Sequence, residues 1–274
     1  MVIQEVYLSY VWSIIYWLLV VYEEDMEKQH KEYHRIKMSS QMTHNQIIKE
    51  VIKYTNNTLL INPLIQNTIK LVEWAVTLAD KYSDHDINLP NPEKPNTDEE
   101  KFYVEKTNAI FQDAIAYIMY HECMHLIYNH QYDKNDDTYN KELEKEADSS
   151  AFKFIMDNEE NQDNFQKGLS IVIANVILLF RAHPSDIVSK RHPDTDIRII
   201  TCIDYFGEEF PRLDAIKYIV SLAFELFFRI YDIPYKVERA NDINELLNID
   251  MVIFDDLKKQ DVIRQSFNKR ERIL

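Results

Sequence analysis

Only two glycines, Gly168 and Gly207, serve a chain of 274 residues. Phosphate-binding loops and dinucleotide-binding turns depend on glycine, because it alone takes positive φ without cost and lets a backbone approach closely. Turn-rich β-sandwiches also draw on proline, of which there are eight. A mainly helical fold is what remains. With 46% hydrophobic and 28% charged residues the chain has the composition of a folded protein. Its 31 Lys and Arg against 46 Asp and Glu leave a net charge of -15, which repels phosphate backbones and excludes nucleic acid as an expected partner. Cys123 and Cys202 allow at most one bridge, and nothing around them asks for it, so a reducing compartment is expected.

Residues 6–22 carry no charge and are barely long enough to cross a bilayer. Tyr10, Trp12, Tyr16 and Trp17 stand in mid-segment, whereas lipid-facing helices keep Trp and Tyr for their ends. A buried core helix is therefore the favoured reading, with a membrane anchor and a partner-binding helix as alternatives. The apolar run 169–180 is too short to span and is expected to be core. Pro90, Pro92 and Pro95 mark a loop over 83–97, after which Thr97 and Glu100 have capping-box spacing and open a long helix. Other helices are predicted at 43–55, 64–82, 139–158, 165–181, 195–206, 213–231 and 251–270, and a short strand at 57–62. No repeat or composition shift divides the chain. The expectation is one domain over 1–274, with an N-terminal helix in 1–38 and a catalytic core in 97–206.

The chemistry lies in His121-Glu-Cys-Met-His125, an HExxH. On a helix the i, i+4 spacing stacks both imidazoles on one face, where they can share a metal ion. Glu122 stands about 100° around from His121 and can reach a water without being a ligand, which makes it the candidate general base. Zinc suits two neutral imidazoles and a carboxylate, and a catalytic site needs a third protein ligand. Glu144 is the candidate, on the next predicted helix, and Asp148, four residues on, is placed to fix the tautomer of a ligand histidine. Glu142 and Glu146 are read as solvated. HExxH is rare by residue frequency alone; Glu-x3-Asp is common in so acidic a chain and gains its weight from following HExxH on a second helix.

This arrangement resembles the gluzincin metallopeptidases, and EKEADSSAF is similar to the corresponding segment of the CAAX-prenyl protease and HtpX group and to that of the ImmA-type proteases. The block KRHPDTDIRI (190–199) is similar to the HP segment of the CAAX-prenyl group, so the resemblance implies that His192 faces the oxyanion and Arg198 holds the site together. His183, in RAHPSD, is the rival for that role. The other reading of His192 is that it merely begins a helix ahead of Pro193. Among proteases with these blocks the chain most resembles the phage-exclusion peptidase Lit family. That resemblance implies a bacterial setting and elongation factor Tu as protein substrate; the donor residues call for one zinc ion per chain, the cysteines for the cytoplasm (alternatively, through residues 6–22, the cytoplasmic face of the inner membrane), and an activator peptide is a further candidate partner. A housekeeping or antirepressor zinc protease and a non-catalytic helical zinc-binding module are the competing functions. Cys123 and His130 are expected to turn away from the metal, and Tyr117, one turn before His121, either packs in the core or touches substrate. His30, His34, His44 and His85 fit no metal-like spacing.

Overall fold

Aromatic and aliphatic residues all around one helix call for burial on every side, and that is how the N-terminal segment folds. Helix α1 (Glu5–Ser39) is buried continuously from Tyr10 to Val21. Several of its polar side chains find protein partners: the Trp12 indole donates to Asn108 Oδ1 at 2.8 Å, and Glu24 accepts from the Tyr103 hydroxyl at 3.0 Å and from Asn62 Nδ2 at 2.6 Å. Lys106 pairs with Glu23 at 2.5 Å. Among the described residues α1 is the one helix long and apolar enough to cross a membrane, and two thirds (67%) of that apolar window is buried within the protein.

The structure, a computed structural model, describes residues 5–39, 42, 62–78, 83–86, 88–157, 164–180, 188, 192–234 and 242–271. The protein is mainly α. Among the described residues there are eight helices and no strand: α1, α2 (Pro63–Thr77), α3 (Asp98–Ile127), α4 (Asp137–Asp157), α5 (Asn164–Leu179), α6 (Thr195–Asp204), α7 (Leu213–Ile230) and α8 (Ile243–Glu271). The helix expected at 43–55 and positions 57–61 of the expected strand lie outside the described residues. Asn62, the last position of that strand, instead caps α2 by accepting from the Leu64 amide at 2.9 Å. Helix α8 begins eight residues before the expected start at 251, behind Asp242, whose side chain accepts from the Glu245 amide at 2.9 Å.

Two compact units are formed, Met1–Ala109 with Lys236–Asn241, and Ile110–Tyr235 with Asp242–Leu274. In the first, α1 packs on α2. Thr97 caps α3 as its spacing predicts, accepting from the Glu100 amide at 3.0 Å. Glu100 departs from the box, because its carboxylate reaches the Asn96 and Asn91 amides at 2.8 and 3.2 Å and so ties the proline-rich loop down.

In the second unit the apolar run forms α5, buried from Gly168 to Ile177, which packs against α4, α6 and α7. Gly168 is required here by space. A Cβ at this position would come within 2.7 Å of Phe210 and 2.9 Å of Phe206, whose rings lie tilted against each other with centroids 4.4 Å apart. Gly168→Ala is therefore expected to cost about 1–2 kcal/mol in urea unfolding, overpacking outweighing the roughly 1 kcal/mol gain in helix propensity. An unchanged or raised midpoint would show that the rings yield freely. Gly207, at φ +71, turns the chain out of α6.

Candidate metal centre

Three elements of the second unit build the site. His121 and His125 project from the last two turns of α3, Glu144 and Asp148 from the buried face of α4, and Arg198 from the first turn of α6. The two Nε2 atoms stand 3.1 Å apart. Glu144 Oε1 lies 3.4 Å from His125 Nε2, and its Oε2 3.5 Å from His121 Nε2. Donor atoms held at 2.0–2.2 Å from a tetrahedral zinc ion are roughly 3.4 Å apart, so the spacing and the donor types fit such an ion. His121 and Glu144 are buried and His125 is half-buried.

The carboxylates are kept ionised. Burial alone raises the Glu144 pKa, but hydrogen bonds from His121, His192 and Tyr132 prevail and hold it far below the ordinary carboxylate range. Asp148 is likewise pushed up by burial and drawn down further by His121 and Arg198. Its Oδ1 lies 2.9 Å from His121 Nδ1, accepts from the Tyr117 hydroxyl at 3.2 Å, and receives the Arg198 guanidinium. Burial lowers the His125 pKa, which favours the neutral imidazole that a metal needs. His121 is also pushed down by burial, but its carboxylate neighbours raise its pKa overall.

The turn that carries Arg198 is tied to α8, and the Arg198 amide bonds the Asp194 carbonyl at 2.9 Å. Asp196, buried in the same turn, binds Lys258 of α8 at 2.6 Å, and Lys258 also reaches Asp194 at 3.5 Å. The guanidinium bridges Asp148 and, at 3.8 Å, Glu144.

His192, 54% exposed, places Nδ1 3.1 Å from Glu144 Oε2. His183 lies outside the described residues. Glu122 is exposed, and its charge is felt by His125 and Tyr132. Tyr117 does not face outward. It is buried beneath Asp148 and receives a 3.5 Å contact from Asn175 Nδ2, which places it among the supports of His121. Cys123 is half-buried, Cys202 is buried, and both are free.

Two residues at the centre escaped the spacing argument. The Tyr132 hydroxyl donates to Glu144 Oε1 and its ring leans on His125 at 5.8 Å; burial and Glu144 raise its pKa, so it stays a donor. Asn140 stitches the loop that carries it, accepting from the Asp133 amide at 2.8 Å and donating to the Asp133 carbonyl at 2.6 Å. His130 is the second. The expectation that it turns away is corrected: its Nδ1 lies 2.8 Å from His125 Nδ1, and its Nε2 lies 3.2 Å from Glu146. Glu146, read as merely solvated, is 58% exposed and makes that contact.

Fold and site together define a helical protein with a His-His-Glu donor set compatible with a metal ion, carried on an HExxH helix and the helix after it. The chain belongs to the Peptidase U49 family, whose profile matches residues 1–220, a stretch that holds the donor set and the residues that orient it. It is a peptidase. No curated protein and no solved structure matches it.

Proposed function

We propose that this peptidase is a zinc-dependent endopeptidase. The observation that carries the reading is the convergence of the His121, His125 and Glu144 donors at tetrahedral spacings, beside an exposed Glu122. Zinc held there would acidify water and polarise the scissile carbonyl. Glu122 then takes the proton of the attacking water and returns it to the departing amine. His192 donates to the oxygen on which negative charge develops, a role its exposure and its place beside Glu144 support. Arg198 and Tyr117 hold Asp148, and Asp148 holds His121 with Nε2 facing inward.

The substrate is a protein, and the resemblance to the Lit family favours elongation factor Tu in a phage-exclusion role; a bacterial cytoplasmic setting and a peptide activator complete the reading. Elemental analysis of the purified chain tests the metal: about one zinc per wild-type chain is expected, and a clear loss in Glu144→Ala. A folded wild type that retains no zinc after reloading would remove the reading. Elongation factor Tu that stays intact in cells producing the active chain would remove that target and leave a housekeeping or antirepressor protease.

A further inference from the structure

The two imidazoles of the donor set are oriented by different devices. His121 has its outer nitrogen on a buried carboxylate, Asp148. His125 instead has a second imidazole there, His130, whose side chain is only 4% exposed. The backbone delivers that contact. Helix α3 closes with Asn129 at φ +51, the His130 amide bonding the His125 carbonyl at 3.0 Å and the Asn129 amide the Leu126 carbonyl at 3.2 Å. These are the two bonds of a Schellman closure, and they fold residue 130 back over residue 125.

We infer that His130 is the positioning residue for His125, and that Glu146 at the rim sets the tautomer of both rings. Two ring nitrogens 2.8 Å apart bond only if one carries a proton and the other is bare. For His125 to offer the Nε2 lone pair, its proton sits on Nδ1, which leaves His130 Nδ1 as the acceptor. The proton of His130 is then on Nε2, where Glu146 Oε2 accepts it at 3.2 Å. A carboxylate can only accept, so it closes the chain in one direction. An exposed side chain thereby acts on the metal centre through two hydrogen bonds.

The inference rests on the zinc reading, and its test separates the two. Zinc affinity is measured by chelator competition on the full chain, with 15N-histidine NMR of the zinc-loaded protein reporting tautomers. Expected are a bare Nδ1 and a protonated Nε2 on His130. Affinity should fall roughly 10- to 100-fold in His130→Ala and by a smaller factor in Glu146→Ala, with partial recovery in His130→Asn, whose amide oxygen can accept. Glu146 lies at the surface, so its variant keeps the test valid should His130→Ala fold poorly. A proton on His130 Nδ1, or wild-type affinity in both alanine variants, overturns the inference alone. A wild type that binds no zinc overturns it together with the zinc reading.

Discussion

Glu122→Gln is expected to lower the rate of peptide-bond cleavage by about 10²–10⁴-fold, the range over which a positioned general base acts, while zinc content stays at the wild-type level. The two readouts part because of where the side chain stands. It is exposed, outside the His121, His125 and Glu144 donor set, and makes itself felt on that set through its charge. Gln keeps the shape and removes the proton acceptor, so binding of metal and substrate persists without transfer of the proton to the leaving amine. Single-turnover cleavage of a substrate found with the wild-type enzyme, run beside elemental analysis of both proteins, gives the answer. A variant that cleaves within a few-fold of wild type would show that Glu122 is not the base. One that loses its zinc would assign Glu122 to the metal's support instead.

The candidate metal centre was legible where helical periodicity carries the information. His121 with His125, and Glu144 with Asp148, are i, i+4 pairs, and any helix through those positions puts each pair on one face. The block at 190–199 added Arg198, which α6 brings to Asp148. What stayed hidden lies past the helix end. Continued on an ideal helix, His130 points away from His125; the left-handed residue Asn129 reverses the chain and brings the rings to 4.9 Å. The signal was present as an Asn following an apolar helical run, a closure usually made by Gly and sometimes by Asn. Tyr132 had no such signal, since its place is set by the Asn140 contacts across a loop. Tyr117 was put on the correct face by spacing, but spacing cannot say which end of an imidazole a neighbour meets, and here it supports the outer nitrogen. The helical class itself followed from the scarcity of glycine. Tolerance ran the other way at Gly168, where phenylalanine rings from beyond α6 occupy the space of a side chain.

Arg198→Ala should bring the largest loss of stability of any substitution in the centre, about 3–5 kcal/mol, as expected when one member of a buried ion pair is removed. Asp148 is buried against His121, Tyr117 and Arg198, and Arg198 supplies its full positive charge. Without Arg198 the carboxylate must remain as a buried charge or take up a proton. Its folded pKa lies below the ordinary Asp value, so its contribution is present above that value and is lost as pH falls through the folded pKa. Removing Arg198 raises that folded pKa and moves the loss to higher pH. Urea unfolding of the metal-free protein measures the effect without the added stability that bound zinc would contribute. The double variant Arg198→Leu with Asp148→Asn separates stability from function, because it removes both buried charges while the new amide keeps the size of Asp and an oxygen that accepts from Tyr117. It should recover much of the lost stability while leaving His121 without its orienting carboxylate, and zinc affinity should stay reduced by roughly 10- to 100-fold. A single Arg198→Ala protein within about 1 kcal/mol of wild type would mean that Asp148 is held by Tyr117 and His121 alone.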